Sequence, residues 1–288
     1  MERKTVIITG ANSGIGKQAA MQLLEKGCQV ILACRNPEKG QALLNEISSS
    51  GTYSAECMQV DMSLQKSVRS FAEKVRNKYD HVDVLIHNAA IFNVTQKTRE
   101  LTSEGIETVW ATNHVGPVLL TGLLLDLLRK SENGRILTVA SKGLLAMPGL
   151  KVNLQDPEFS KKKFSVVKAY YQSKLAQILY TLYLAEKEKG SGVTVNCVRV
   201  PAVQIDISRH PELSGFMKWV YSVKARNSIP PGKAAETYVD LALSPGYDGI
   251  SGRYFDEHSV QVGTGQYAAD KENRKAVMAL TESYISRI

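Results

Sequence analysis

The stretch Thr9-Gly10-Ala11-Asn12-Ser13-Gly14-Ile15-Gly16 constrains this chain more than any other. It follows a β-branched run, Thr5–Thr9, and passes at once into a stretch of helical period near Ile15–Lys26. A strand that feeds a helix through glycines turns sharply and lets backbone N–H groups approach a ligand closely. The positive end of the helix then favours an anion, and a pyrophosphate suits such a turn. The Gly-x-x-x-Gly-x-Gly spacing departs from the commonest fingerprint of this kind, so its weight comes from lying between the first strand and the first helix. Gly10, Asn12, Ser13, Gly14, Ile15 and Gly16 are therefore candidates for binding a dinucleotide.

Beyond the turn, short β-branched runs alternate with longer stretches of helical period. Strands are expected at Thr5–Thr9, Gln29–Ala33, Ala55–Val60, Val82–His87, Arg135–Ala140, Val193–Arg199 and Arg253–Phe255. Helices are expected near Ile15–Lys26, Pro37–Ser48, Leu64–Asn77, Glu104–Arg129, Val167–Lys189 and Ala234–Leu243. The pattern predicts an α/β fold: a Rossmann-type, doubly wound, mainly parallel seven-stranded sheet with helices on both faces. With 288 residues and no repeat or low-complexity linker, one domain is expected. The rhythm breaks at about 203–227, where such sheets place a substrate lid. That segment carries Phe216, Met217, Trp219, Val220, Tyr221 and Val223 among Lys218, Lys224 and Arg226. It suits the apolar wall of a pocket, an amphipathic helix on a membrane surface, or a helix covering the core.

Composition narrows the partners. Lys+Arg 36 against Asp+Glu 28 gives a net charge of +8, which favours anionic ligands. The basic residues are scattered apart from Lys161-Lys162-Lys163, so no nucleic acid is expected. The apolar stretch Val115–Leu128 is shorter than the ~20 residues of a span and contains Asp126, so no transmembrane segment is expected. Met1–Lys4 runs straight into a strand, which leaves no room for a signal peptide. Cys28, Cys34, Cys57 and Cys197 lack metal-ligand spacing and read as reduced thiols; no metal site is expected, and the location expected is cytoplasmic.

The end of the second strand bears on the choice of cofactor. An acid there would accept hydrogen bonds from an unmodified ribose, but the sequence reads Ala33-Cys34-Arg35-Asn36. Arg35 can grip a 2′-phosphate through its planar fork, with Lys17 adding charge, so NADP(H) is expected. Asp61 and Met62 follow the third strand on the adenine side. Asn88 and Ala89 follow the fourth, on the ribose and nicotinamide side.

Tyr170 and Lys174 are four apart in a helical stretch and share one face. A phenol near pKa 10 is a poor base; a nearby ammonium and an oxidised nicotinamide are expected to lower it. Tyr170 would then trade a proton with a substrate oxygen while hydride passes to or from the adjoining carbon. Tyr171 has no such partner, since position 175 is leucine. Ser141 closes the fifth strand, where its hydroxyl can donate to a developing alkoxide. Asn113 interrupts an apolar helix, and a water chain to Lys174 would satisfy its amide. His114 beside it reads as a core or capping residue.

Together these residues resemble the short-chain dehydrogenase/reductase superfamily, from Thr5 to about Phe255. The likeness is to its retinol dehydrogenase-like branch, which includes the WW-domain oxidoreductases and protochlorophyllide reductases. Gly10–Gly16, Leu32–Asn36, Lys39-Gly40, Leu85–Ala89, Asn113–Gly116 and Tyr170-x-x-Ser173-Lys174-Leu175-Ala176 carry it. The resemblance implies that Asn113, Ser141, Tyr170 and Lys174 form a catalytic tetrad and that Arg35 reads a 2′-phosphate. It also implies cofactor contacts from Tyr170, Lys174, Pro201 and Val203.

The chain departs from the family at Ala90, where glycine is usual, and at Val200-Pro201-Ala202, where His-Pro-Gly is usual. Val203-Gln204-Ile205-Asp206 also lacks the usual hydroxyl residue. The apolar anchor that opens membrane-bound retinol enzymes has no counterpart, so the resemblance is not extended to retinol as substrate. The expected partner is a small carbonyl or alcohol. Peripheral membrane contact and homo-oligomer formation, with Ile178, Leu179 and Leu182 on a pairing face or in the core, stay open. The competing reading is a non-catalytic NADP(H)-binding sensor. A sugar-nucleotide epimerase fits less well, for want of a domain to hold such a substrate.

Overall fold

The computed structural model describes residues 3–51, 53–204 and 228–286. Its strands are β1 (Thr5–Thr9), β2 (Gln29–Cys34), β3 (Ser54–Gln59), β4 (Val84–His87), β5 (Arg135–Ser141), β6 (Thr194–Val200) and β7 (Tyr254–Phe255). All pair in parallel, in the order β3-β2-β1-β4-β5-β6-β7. Side chains alternate across a strand, and here both faces are covered. Val6 and Ile8 pack with Ala19 and Leu23, whereas Ile7 between them packs with Val68 and Phe71. A strand buried on both faces has no polar side, which is why these runs are continuously apolar.

The covering helices are α1 (Gly14–Glu25), α2 (Pro37–Ser50), α3 (Gln65–Lys78), α4 (Thr108–Arg129), α5 (Val166–Lys187), α6 (Pro231–Leu243), α7 (Gln266–Ala269) and α8 (Lys271–Ile285). α1, α2 and α6 lie on one face of the sheet, and α3, α4 and α5 on the other. Helix starts follow local chemistry. Asn36 caps α2 by accepting from the Lys39 N–H at 2.8 Å, with Pro37 in the first turn. Glu107, fully buried, caps α4 by accepting from Val109 N and Trp110 N at 3.0 and 2.8 Å.

β1 lies between β2 and β4, so the order reverses there and a crevice opens at the carboxyl ends of β1 and β4. At the opposite end, Asp83 joins three neighbouring elements. Its carboxylate accepts from Thr5 N at 2.7 Å and from Ser131 Oγ at 2.6 Å, and its carbonyl accepts from Arg135 N at 2.8 Å.

Several expectations need correction. α4 begins at Thr108 rather than Glu104, because Leu101 and Glu107 first form a β-bridge. Short helix α7 and the longer α8 were not anticipated; α8 buries Val277, Met278, Thr281 and Tyr284, a face with two polar side chains that gives a faint apolar signal. Val115–Leu128, too short for a span by itself, is part of a longer helix. The helix containing it has 22 residues and is long and apolar enough by length and composition to cross a membrane, although 78% of its apolar window is buried inside the protein. Ile178 and Leu179, considered for a subunit interface, are core residues within one chain. Of the expected lid, residues 205–227 lie outside the described residues.

Asp83→Ala should lower unfolding stability by about 2–4 kcal/mol, since it removes charge-assisted bonds from a mostly buried junction. Urea denaturation checks this, and ligand affinity at the far end of the sheet should stay unchanged.

Candidate active site

Gly10, the residue after β1, has φ +68°, a left-handed conformation that the turn requires. Asn88, just past β4, donates from Nδ2 to Thr9 O at 2.9 Å and Gly10 O at 3.3 Å, while Ala89 N donates to Thr9 Oγ1 at 3.0 Å. Asn88 thus clamps the two strand ends together. A Cβ on Gly16 would stand 2.4 Å from Gly10 O, so α1 can start this close only with glycine there. The resulting crevice is a cavity of about 400 Å³ lined by Gly10, Asn12, Ser13, Arg35, Asp61, Met62, Asn88 and Ala89.

Arg35 is exposed on its rim, beside Asn36 and Lys39. Lys17 does not join it, as the sequence suggested. Lys17 Nζ pairs with Glu46 at 2.6 Å in an adjoining cavity that Gly14 and Ile15 also line, because its place on α1 turns it toward α2. Lys39, in the first turn of α2, lines the crevice with Arg35. Asp61 directs Oδ1 to Ser63 N and Oγ at 2.9 and 2.6 Å. A cradle that a Cβ would fill, with cations on its rim, fits a phosphorylated dinucleotide. Among the described residues there is no His/Cys/Asp/Glu group able to hold a metal.

Asn88 and Ala90 also line a second cavity of about 480 Å³, which contains Ser141, Tyr170, Lys174, Pro201 and Val203. Ser141 Oγ accepts from Gly143 N at 3.2 Å and lines the cavity with the Tyr170 phenol. Lys174 Nζ donates to Val139 O at 2.8 Å and lies 5.8 Å from the Tyr170 ring centroid. Lys174 by itself does not make the phenol acidic. Burial, followed by the neighbouring Tyr171 phenol, pushes Tyr170 up to about 12, against a smaller opposing effect of Ser141. Burial likewise pushes Lys174 down to about 8. Removal from water penalises both charges, and the lysine is tied to a strand carbonyl rather than to the phenol oxygen.

Asn113 stands behind this cavity, not in its lining. Its amide needs no water chain. Oδ1 accepts from Ile91 N at 2.8 Å, and Nδ2 lies 3.1 Å from both Ile91 O and Ser173 Oγ. His114 is a core residue: its Nε2 is 2.8 Å from Thr281 Oγ1, and burial pushes its pKa down to about 3.

Two further residues join the site: Phe92, which no motif marked, and Tyr171, which lacks a lysine partner on its own helix face. Phe92 stacks on Tyr170, with centroids 4.2 Å apart and planes at 20°. Tyr171 meets Tyr170 edge-on at 5.2 Å, and its hydroxyl would be 2.2 Å from a Cβ at Gly143. Both contacts join separate segments or depend on helix orientation, so no spacing announces them. Ala90 and Ala202 sit without strain, since the non-glycine residues with positive φ among those described are Phe159 and Ser259.

A reversal in strand order with a glycine cradle, and a Tyr–Lys pair in the adjoining cavity, defines a nucleotide-linked oxidoreductase. The family model for short chain dehydrogenase matches residues 4–152. Mouse (Mus musculus) retinol dehydrogenase 13 is 37% identical over 259 residues, covering 88% of this chain and 75% of that protein. Human (Homo sapiens) retinol dehydrogenase 11 is 37% identical over 258 residues, covering 88% and 77%. An uncharacterized protein from Mycobacterium paratuberculosis has a similar crystal structure, with TM-score 0.73, 28% identity, and coverage of 98% and 93%. A short chain dehydrogenase from Escherichia coli CFT073, solved with NADPH, aligns with TM-score 0.69 at 22% identity, covering 89% and 97%. The chain belongs to the short-chain dehydrogenase family, in its retinol dehydrogenase-like branch.

The cytoplasmic location expected from the reduced thiols and from the absence of a signal peptide and a span is not supported: the chain is similar to retinol dehydrogenases, and α4 is long and apolar enough by length and composition to cross a membrane.

The depressed lysine predicts a pH effect on stability. Lys174 is held near 8 in the fold against about 10.5 when unfolded, so between those values the unfolded chain binds the extra proton. This residue's contribution to stability therefore rises with pH from about 8 to 10.5. Urea unfolding across that range should show this rise in the unmodified protein and lack it in Lys174→Met.

Proposed function

We propose that this protein is an NADP(H)-dependent oxidoreductase that interconverts an alcohol and a carbonyl group on a lipophilic or aromatic small molecule, with Tyr170 exchanging the proton. The observation that carries this reading is the shared wall of the two cavities. Asn88 and Ala90 border both the glycine cradle and the space holding Ser141, Tyr170 and Lys174. Arg35 and Lys39 on the rim support a 2′-phosphate, and similar short chain dehydrogenases have been solved with NADP and NADPH. Phe92, Tyr171, Val200 and Val203 give the substrate space an apolar lining, and relatives carry the name retinol dehydrogenase.

In this reading Gly10, Asn12, Ser13, Gly14, Ile15 and Gly16 hold the diphosphate. Asp61 and Met62 border the adenine side, Asn88 and Ala89 the ribose side, and Pro201 and Val203 the carboxamide end. When bound, the nicotinamide gives or takes the hydride. Every proton is handled by the chain. Near neutral pH the Tyr170 phenol is protonated, which equips it to donate to a carbonyl oxygen. Ser141 donates to the same oxygen and limits charge build-up there. Lys174, cationic below about 8, steadies the phenolate that donation leaves. Asn113 acts at one remove, through Ile91.

Carbonyl reduction should therefore hold its rate up to about pH 8 and fall above it as Lys174 loses its proton, while alcohol oxidation should rise toward alkaline pH. The test is NADPH oxidation with a panel of aldehydes, ketones and quinones. Tyr170→Phe should cut kcat by about 10²–10⁴-fold with the Km for NADPH little changed. Arg35→Asp should turn the preference from NADPH to NADH. Turnover that survives loss of the phenol would refute the proton-exchange assignment. NADPH binding without turnover on any substrate would favour a sensor.

A further inference from the structure

Helix α4 changes its winding at the site. Ala111–Val115 forms a π turn, closed by Gly116 N donating to Ala111 O, before the α-helical remainder begins. In a regular helix the carbonyl of residue 113 would accept from the N–H of residue 117. That residue is Pro117, which has no N–H. The Asn113 carbonyl is instead met from the facing helix α5: Gln177 Nε2 donates to it at 2.9 Å. Gln177 is buried, and its own Oε1 has no partner, so it is retained in the core for its donors.

The orientation of this amide is determined by its neighbours. A carbonyl can only accept, so the NH₂ must face Asn113. The same NH₂ lies 3.2 Å from His114 Nδ1, which then accepts and leaves Nε2–H to donate to Thr281 Oγ1 on α8. The Thr281 hydroxyl passes on to Val277 O at 2.8 Å. The imidazole stays neutral throughout, as its depressed pKa requires.

From the other side of Asn113, the side-chain amide grips both the N–H and the carbonyl of Ile91, and the next ring along the chain, Phe92, lies flat on Tyr170. We infer that Gln177 is a positioning residue: it replaces the donor that Pro117 removes from Asn113, and through Asn113 it keeps the Ile91–Phe92 wall over the Tyr170 phenol. The effect on turnover rests on Tyr170 being the proton-exchanging group. The hydrogen-bond chain itself does not.

The pairing is tested by a rescue. Gln177→Met keeps length but loses the donors. It should speed hydrogen exchange at the Ile91 amide by about tenfold, lower kcat by about tenfold, and move the pH profile of alcohol oxidation to lower pH as water reaches the phenol. Pro117→Ala restores an N–H four residues beyond Asn113 and should stay within about twofold of the parent protein. The double variant should regain slow Ile91 exchange, turnover and the original pH profile. If Gln177→Met does not fold, recovery of folded protein in the double variant supports the pairing. Parent-like exchange, kcat and pH profile in Gln177→Met would overturn it, and so would a double variant that recovers neither folding nor turnover. If the parent protein turns over no substrate in the panel, the functional reading fails, while Ile91 exchange still decides the role of Gln177.

Discussion

The junction between the ends of β1 and β4 is the constraint on which the site depends. β1 and β4 are paired neighbours, but the chain leaves them toward opposite faces of the sheet, so the crevice between keeps its shape only if their carboxyl ends have a fixed hold on each other. Asn88 supplies that hold with one amide reaching two carbonyls, Thr9 and Gly10, while Ala89 returns a bond to the Thr9 hydroxyl. Tyr238 on α6 reaches the same amide at 3.4 Å, so both the sheet and its covering helix set its orientation.

Burial governs the chemistry of the proposed centre more than charge proximity does. Tyr170 and Lys174 share a helical face, but each responds chiefly to removal from water, and their shifts run toward the neutral forms. In the proposed reaction a protonated phenol can act as the acid for reduction, provided Lys174 keeps its charge, as it does below about 8. The aromatic wall sharpens this, because Phe92 and Tyr171 occupy space that water would otherwise take beside the phenol.

Much of the architecture was legible in the residues. Continuous apolar strands require a sheet covered on both sides, and the glycine turn and Arg35 line one cavity while Ser141, Tyr170 and Lys174 line the one adjoining it. The errors share a cause. Lys17 and Lys39 are equally basic, and which one reaches the rim depends on how α1 and α2 face each other. Asn113 looked like an amide in want of water because its partners, Ile91 and Ser173, are 22 and 60 residues away in sequence. α8 carries too few apolar positions to declare itself, yet it supplies Thr281 to the buried chain behind the site.

The amino-acid order alone determined the alternation of strand and helix, the place of the phosphate turn, and the set of groups available for proton exchange, since these follow from short-range periodicity and side-chain chemistry. Tertiary packing decided which of those groups meet and in what charge state. Hydrogen bonding and desolvation depend on neighbours that arrive from distant segments, and no local spacing encodes them.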